Sequence, residues 1–362
     1  MLQRLTKKIP REQIAHLKQH WLTVSFVFGF IGDIILLNQI DSVVDNLILL
    51  FSATTATISF LLLYVAAIDR LPKWLSDFLK KYAPMAMQYG FGGLLSGMLV
   101  FYGRSGDWLA SAPFLLVIVA VIFGNEFIKK RSDRFIYHLA LYYIGMFSYI
   151  VLVVPVVLGK MGDGIFILSG LIALAIVVCV VQLLYRIVPN FMMTNTKRII
   201  LTMGFVYIGF NSLYFANIIP PIPLSLTKLE VTHGVVRLET GDYRVVYEEQ
   251  PWWRAALPPV IHPSGTVACF ARVYAPTKLS TNIYHRWEFK NTEGKWQEHA
   301  RISYQVLSSG TLAGYRGYTQ IASFSDGEWR CSVETARGAV LGRETFYIKA
   351  SGTPGTLVTR IE

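Results

Sequence analysis

Seven apolar stretches, each of membrane-spanning length, follow one another over the first 219 residues, and every fold open to this chain must house them. They lie near 21–40, 46–68, 84–103, 109–128, 135–159, 164–188 and 199–219. About 20 apolar residues in a helix cross the hydrocarbon of a bilayer, where each backbone amide has to be satisfied within its own segment. The chain is 53% apolar and only 16% charged, with a mean hydropathy of +0.43. A soluble domain carries about one quarter charged residues, so a wholly cytosolic globular protein is excluded. The sequence predicts an α-helical transmembrane bundle of seven spans over residues 21–219, behind a basic cytoplasmic N-terminus, residues 1–20. No stretch combines a short apolar core with a small-residue cleavage site, so the first span is expected to be retained.

The formal net charge of +11 points to nucleic acid until the charges are placed along the chain. Residues 1–224 hold 18 basic and 10 acidic side chains, residues 225–362 hold 16 and 13. Within the apolar part, the N-terminus and the second, fourth and sixth connections hold 16 Lys and Arg. The odd connections hold two, Arg104 and Lys160. Basic residues stay on the cytoplasmic side during insertion. The N-terminus is therefore predicted inside, and seven spans would deliver residues 225–362 to the outside of the membrane. Nucleic acid is not an expected partner, whereas membrane lipids are. In 72–82, Trp74, Leu75, Phe78, Leu79 and Tyr82 share a helical face opposite Lys73, Lys80 and Lys81, which suits either an interfacial helix or an aromatic-anchored loop.

Pro220, Pro221 and Pro223 mark a proline-rich linker, 220–226, because proline lacks the amide proton and fixes φ. Beyond it the hydrophobic period changes to two. Segments 227–239, 242–249, 265–274, 282–290, 300–308, 315–323, 328–335 and 340–349 are rich in Val, Tyr, Thr and Phe and are separated by Gly-containing turns. Seven or eight short strands over 227–350, followed by a tail, 351–362, predict an all-β, immunoglobulin-like sandwich. Cys269 and Cys331 fall on the inward faces of their strands, with Trp287 on a strand between. The pair is either a disulfide or two buried thiols, and spacing alone leaves both open.

No zinc spacing, nucleophile elbow or phosphate loop is present, so no catalytic residue, metal or cofactor is expected. Gly93 and Gly97, with Gly92 and Ser96, form small-xxx-small pairs that let helices approach. Intramembrane polar candidates are Asp33, Gln88, Asn125, Glu126, His138 and Asn211, since a polar group in hydrocarbon needs a partner or a function. They mark a polar path through the bundle or ordinary interhelical hydrogen bonds, and Glu126 and His138 are close enough in sequence to pair. In the β-region, Trp252, Trp253, His285, Arg286 and Trp287 gather aromatic and cationic groups suited to stacking on a sugar, peptide or lipid headgroup. Each Trp has an alternative place, Trp287 in the core and Trp252 and Trp253 at the membrane interface.

Several motifs carry a family resemblance: Gly29-Phe30-Ile31-Gly32-Asp33, Gly92-Gly93-Leu94-Leu95-Ser96-Gly97, Asn125-Glu126, Ile219-Pro220-Pro221-Ile222-Pro223-Leu224, His285-Arg286-Trp287, Gly327-Glu328-Trp329 and Val340-Leu341-Gly342. In this order they resemble uncharacterised bacterial polytopic membrane proteins ending in a domain of unknown function, family 2914. The resemblance implies a bacterial inner membrane and supplies no activity. The expected function is an integral membrane protein presenting a β-domain to an envelope protein, glycan or peptide. The rivals are a transporter or channel using the polar residues of the bundle, and an intramembrane lipid-modifying enzyme with Glu126 and His138 as acid and base. No oligomeric state is implied.

Overall fold

The structure is a computed structural model. It describes residues 42–66, 71–104, 131–219, 223–250, 257–263, 265–275, 281–306, 314–352 and 354–362, with isolated positions elsewhere. The chain divides into two compact units, one helical and built from segments before residue 213, the other composed mainly of Leu213–Glu362.

The helical unit contains, among the described residues, α1 (Val43–Val65), α2 (Lys73–Arg104), α3 (Arg131–Leu158), α4 (Asp163–Ile187) and α5 (Pro189–Phe215). Four of these five, α1, α3, α4 and α5, are long and apolar enough to cross a membrane. The seven-span bundle expected from the sequence is therefore not what the described residues form. The expected spans near 21–40 and 109–128 lie outside them. The third expected span and the amphipathic segment before it are one continuous 32-residue helix, α2, with Pro84 inside it. Gln88 and several glycines dilute its apolar content, and residues 90–98 are all buried. A helix walled in by its neighbours does not need the all-round apolar surface that a lipid-facing one needs.

Ser42 caps α1 by accepting a hydrogen bond from the Asp45 amide at 3.3 Å, and Asp45 lies in the first turn, where a negative charge complements the helix dipole. At Gly90 of α2 an added Cβ would stand 2.7 Å from the Ala56 nitrogen and 2.8 Å from the Ser52 carbonyl oxygen of α1. Only glycine allows two helix backbones so close. Aromatic rings fasten α1, α3 and α5: Phe60 stacks on Tyr142 at 5.5 Å, and Phe135 meets Tyr64 at 5.0 Å and Phe191 at 5.3 Å.

The β-unit has eleven strands in three sheets, among the described residues. Strands β1 (Ser225–Thr232), β5 (Val267–Tyr274) and β8 (Tyr315–Ile321) form one sheet in the order β1-β5-β8. The second has the order β4-β10-β9-β6-β7, from β4 (Val260–Ile261), β10 (Val340–Ile348), β9 (Gly327–Thr335), β6 (Thr281–Lys290) and β7 (Trp296–Val306). The third is β11-β3-β2, from β11 (Leu357–Ile361), β3 (Tyr243–Glu248) and β2 (Gly234–Arg237). Gly241, Gly294 and Gly338, in turns read from the sequence, adopt positive φ, a region closed to most side chains.

These sheets replace the expected immunoglobulin-like sandwich with three layers. The first and second enclose a core containing Val231, Val267, Cys269, Trp287, Trp329, Cys331 and Phe346. The opposite face of the first sheet is covered by the third, around Val235, Tyr243, Val245, Ala268 and Phe270. Strand β5 is thus buried on both faces, with residues 267–271 all buried. Its run Val267-Ala268-Cys269-Phe270-Ala271 is continuously apolar for that reason, as expected of a strand with no solvent side. Two strands fall outside the period-two pattern. One is β4, which is two residues long and pairs in parallel with β10; the other is β11, which recruits the expected tail by pairing with β3.

Phe270→Ala empties the second core while sparing the first. It is expected to cost about 3–5 kcal/mol in chemical unfolding of the full chain followed by tryptophan fluorescence. A loss below about 1 kcal/mol, the level of a surface change, would mean that the third sheet does not seal this face.

Candidate functional site

Side chains alternate across a strand, and in β6 that alternation splits Tyr284-His285-Arg286-Trp287 between two environments. His285 and Trp287 are fully buried between the first two sheets, while Tyr284 and Arg286 lie on the other face of the second sheet. Arg286 is therefore the one member of the expected His285, Arg286, Trp287 set that presents charge outward. Trp252 and Trp253 lie outside the described residues.

The outward face carries a charged array. Register places Arg286 opposite Ser332 of β9 and Arg301 of β7, Tyr284 opposite Glu334, and Glu288 opposite Arg330. Arg301 donates to Glu334 Oε1 at 2.7 Å, and Arg330 donates to Glu288 Oε1 at 2.9 Å. The guanidinium of Arg301 lies 4.3 Å over the Tyr284 ring, and that of Arg330 lies 4.3 Å over Trp296. Burial would raise the Glu288 carboxyl, but the hydrogen bond from Arg330 and the charges of Arg286, Arg330 and Arg343 hold it below the ordinary value. Glu334 is only 1% exposed although no strand covers this face among the described residues. The arginine and aromatic side chains themselves roof the carboxylates, as long cationic stems do.

Arg286 stands between both carboxylates, its Nε 3.4 Å from Glu334 and 3.6 Å from Glu288. Its Nε, the Ser332 hydroxyl and Glu334 Oε2 are buried without a hydrogen-bond partner. Three neighbouring unsatisfied polar atoms are rare in a folded protein, since each forfeits about 1–3 kcal/mol. They leave a donor, a hydroxyl and an acceptor unused beneath the arginine and aromatic side chains of the array. The polar-apolar alternation of Glu328-Trp329-Arg330-Cys331-Ser332-Val333-Glu334 held the signal for the β9 members of this face. Arg301 and its stacking on Tyr284 had none.

Behind the same strand, Cys269 and Cys331 form a disulfide that joins the first two sheets. Thr319, opposite Cys269 in the β5–β8 register, accepts from Trp287 Nε1 at 3.0 Å and meets His285 Nδ1 at 3.0 Å. Tyr304 reaches His285 Nε2 at 3.1 Å. It does so across Gly317, where a Cβ would lie 2.4 Å from the tyrosine ring. Burial lowers the His285 imidazole to about 3, so it is neutral.

A second histidine cluster has no sequence signature. Glu248, at the end of β3, accepts from the Gly355 amide at 2.8 Å and meets His262 Nδ1 at 2.9 Å and His233 Nε2 at 3.3 Å. One carboxylate thereby ties four segments together.

In the helical unit, Asn211 bonds its own helix, donating to the Tyr207 carbonyl at 2.8 Å. Gln88 and His138 are buried, with Gln88 Nε2 and His138 Nδ1 unpartnered. Asp33, Asn125 and Glu126 lie outside the described residues, and with them the expected Glu126–His138 pair. The structure brings none of the described intramembrane candidates into a hydrogen-bonded set.

Burial would raise the Glu248 carboxyl, but the Gly355 amide, both imidazoles and the His262 amide more than reverse this and hold it below the ordinary value. A depressed folded pKa contributes stability that is complete above the unfolded value, about 4.3, and is lost as pH falls through the folded value. Wild-type chain should therefore lose stability relative to Glu248→Gln on acidification from about pH 6 to about pH 3. Parallel unfolding curves for the two across that range would contradict the clamp.

Residues 280–348 match the family model described as "Protein of unknown function (DUF2914)". No curated protein matches the chain. Among solved structures it is similar to Pseudomonas fluorescens alkylpurine DNA glycosylase AlkC bound to DNA containing an abasic site analog. That likeness has 10% identity and a TM-score of 0.22 over 86% of this chain and 100% of that chain, an overlap that carries no argument. The matched segment runs from the start of β6 to the end of β10, and so the part of the chain that is similar to the domain of unknown function DUF2914 contains the charged array.

Proposed function

We propose that the apolar helices anchor this chain in a bacterial cytoplasmic membrane and that the β-unit, on the outer side, recognises an acidic envelope glycan through the outward face of its second sheet. The observation that carries the ligand class is Arg286, a half-buried side chain set between two carboxylates whose Nε is hydrogen-bonded to neither, beside the unsatisfied Ser332 hydroxyl and Glu334 oxygen. A sugar acid supplies what they lack. Its carboxylate takes the guanidinium, where a charge-assisted bond is about twice as strong as a neutral one, and its hydroxyls take Ser332 and Glu334. Tyr284 and Trp296, already stacked with arginines, supply flat edges for the pyranose ring.

Orientation is supported by the final helix. Arg186 lies in the last turn of α4, and Lys197 and Arg198 lie in the first half of α5, which by the positive-inside rule puts this end of the two helices on the cytoplasmic side. The β-unit follows the other end. A disulfide in its core suits an oxidising compartment.

A second reading, a polar path through the helices, is favoured by Gln88 and His138, whose buried nitrogens lack partners.

Two measurements test the proposal. Protease added to intact spheroplasts is expected to digest the β-unit and leave the helices, and full protection would overturn the orientation. Full chain in nanodiscs is expected to bind uronic-acid oligosaccharides, with Arg286→Leu weakening binding about tenfold or more, the loss of one charge-assisted hydrogen bond. Absence of binding, or equal binding by the variant, would remove this face from recognition.

A further inference from the structure

The buried side of β6 holds a donor set that sequence spacing does not reveal. Cys269 comes from β5, His285 from β6 and Cys331 from β9. A ring nitrogen of His285 and the two sulfurs all lie within 4.8 Å of one another, and all three residues are 0% exposed. They are brought together by pairing across two sheets, at separations of 16 and 46 residues, so no local motif could announce them.

We propose that these three side chains form a redox-gated metal site, which in its dithiol state binds one zinc-class divalent cation and in its disulfide state binds none. Two thiolates and one imidazole, with a fourth position left to a small oxygen ligand, are a recurrent donor set for zinc. The surroundings match what such a site needs. A neutral imidazole has one nitrogen free to ligate while the other keeps a proton, and here both nitrogens face hydroxyls, Thr319 at 3.0 Å and Tyr304 at 3.1 Å. Whichever nitrogen takes the ion, the other retains an oriented partner, the arrangement that fixes the ring in metal sites. No carboxylate appears in the group of three, so the site favours a thiolate-seeking ion over magnesium or calcium.

The switch between states balances as thiol–disulfide exchange. A small-molecule or protein disulfide accepts two electrons, one from each cysteine sulfur. Its own S–S bond breaks to give two thiolates, the Cys269–Cys331 bond forms, and the divalent ion leaves because neutral disulfide sulfurs no longer hold it. The reverse needs a dithiol or phosphine reductant.

The test uses full-length chain in detergent, prepared once with oxygen and once under a phosphine reductant. The states are verified by thiol count, since Cys179 is the remaining, free cysteine. Each is titrated with Co²⁺ and then Zn²⁺ alone. The reduced chain is expected to take up about one Co²⁺ with a thiolate-to-metal charge-transfer band, lost on adding Zn²⁺, and the oxidised chain to show no such band. Thr319→Val, which keeps all three donors, should weaken uptake about tenfold or more. The proposal is overturned if the reduced chain shows no charge-transfer band. It is equally overturned if His285→Ala gives the same band at the same affinity, or if oxidised and reduced chains bind alike. The oxidised wild type serves as the control for the reduced one, so the comparison does not require a cysteine variant to fold.

Discussion

Strand β5 is the constraint on which the β-unit depends. It is covered on one face by the sheet containing β6 and β9 and on the other by the sheet containing β3, and it is tied to β9 through Cys269–Cys331 across 62 residues of chain. Closing a loop of that length in the unfolded chain is worth about 4 kcal/mol in the loop-entropy account. The full burial of Phe270 adds apolar stabilisation of about 1.5–3 kcal/mol. With β5 fixed, β8 is fixed by register, and Thr319 is then held opposite Cys269. The hydroxyl that meets both His285 and Trp287 is therefore positioned by the central strand.

From that frame the two faces of β6 acquire opposite chemistry. Odd-numbered residues 283, 285 and 287 point into a core where every charge would be desolvated, and the only titratable member, His285, is neutral there. Even-numbered residues 284, 286 and 288 point to a face where charges survive because they are paired. A stretch of four residues that reads as one aromatic and cationic patch is thus two sites with different solvents. The structure places Arg286 on one face and His285 and Trp287 on the other for this geometric reason, and the period-two pattern that separates them was present in the sequence.

How much was legible follows the strength of the local pattern. Nine of the eleven described strands lie in segments where polar and apolar residues alternate between glycine turns, with β2 sharing the first segment with β1. The inward direction of Cys269 and Cys331 followed from the same alternation. Strand β4 has two residues, too few to show a period, and β11 alternates among residues that read as a tail. The third layer was legible only in the unbroken apolar run of β5, which contradicts a sheet with one wet face. In the helical unit, hydropathy located the helices but misjudged α2, whose buried course frees it from being uniformly apolar. Asn211 drew attention as a polar group at membrane depth, yet the carbonyl four residues earlier satisfies it more cheaply than any distant partner. The clamp at Glu248 joins positions 233, 248, 262 and 355, which only the folded chain makes neighbours.

The carboxylates of the outward face raise an energetic question that their pairing answers in part. Bringing an ion out of water costs several kcal/mol even after relaxation, and Glu334 at 1% exposure bears that cost on a face with no covering strand among the described residues. Arg301 meets one of its oxygens closely, but the other faces Arg286 at 3.4 Å without a hydrogen bond. A surface optimised for stability alone would close that gap or replace the array by apolar side chains, which is often neutral or favourable. An array that keeps a desolvated donor and acceptor half-satisfied holds its charges in place before anything arrives. A polar group seated there gains its hydrogen bonds without having to order arginines that Tyr284, Trp296 and the two glutamates already order. On the proposed reading, preorganisation of this kind would turn a stability deficit into binding energy, with the half-buried Arg286 set between its two carboxylates.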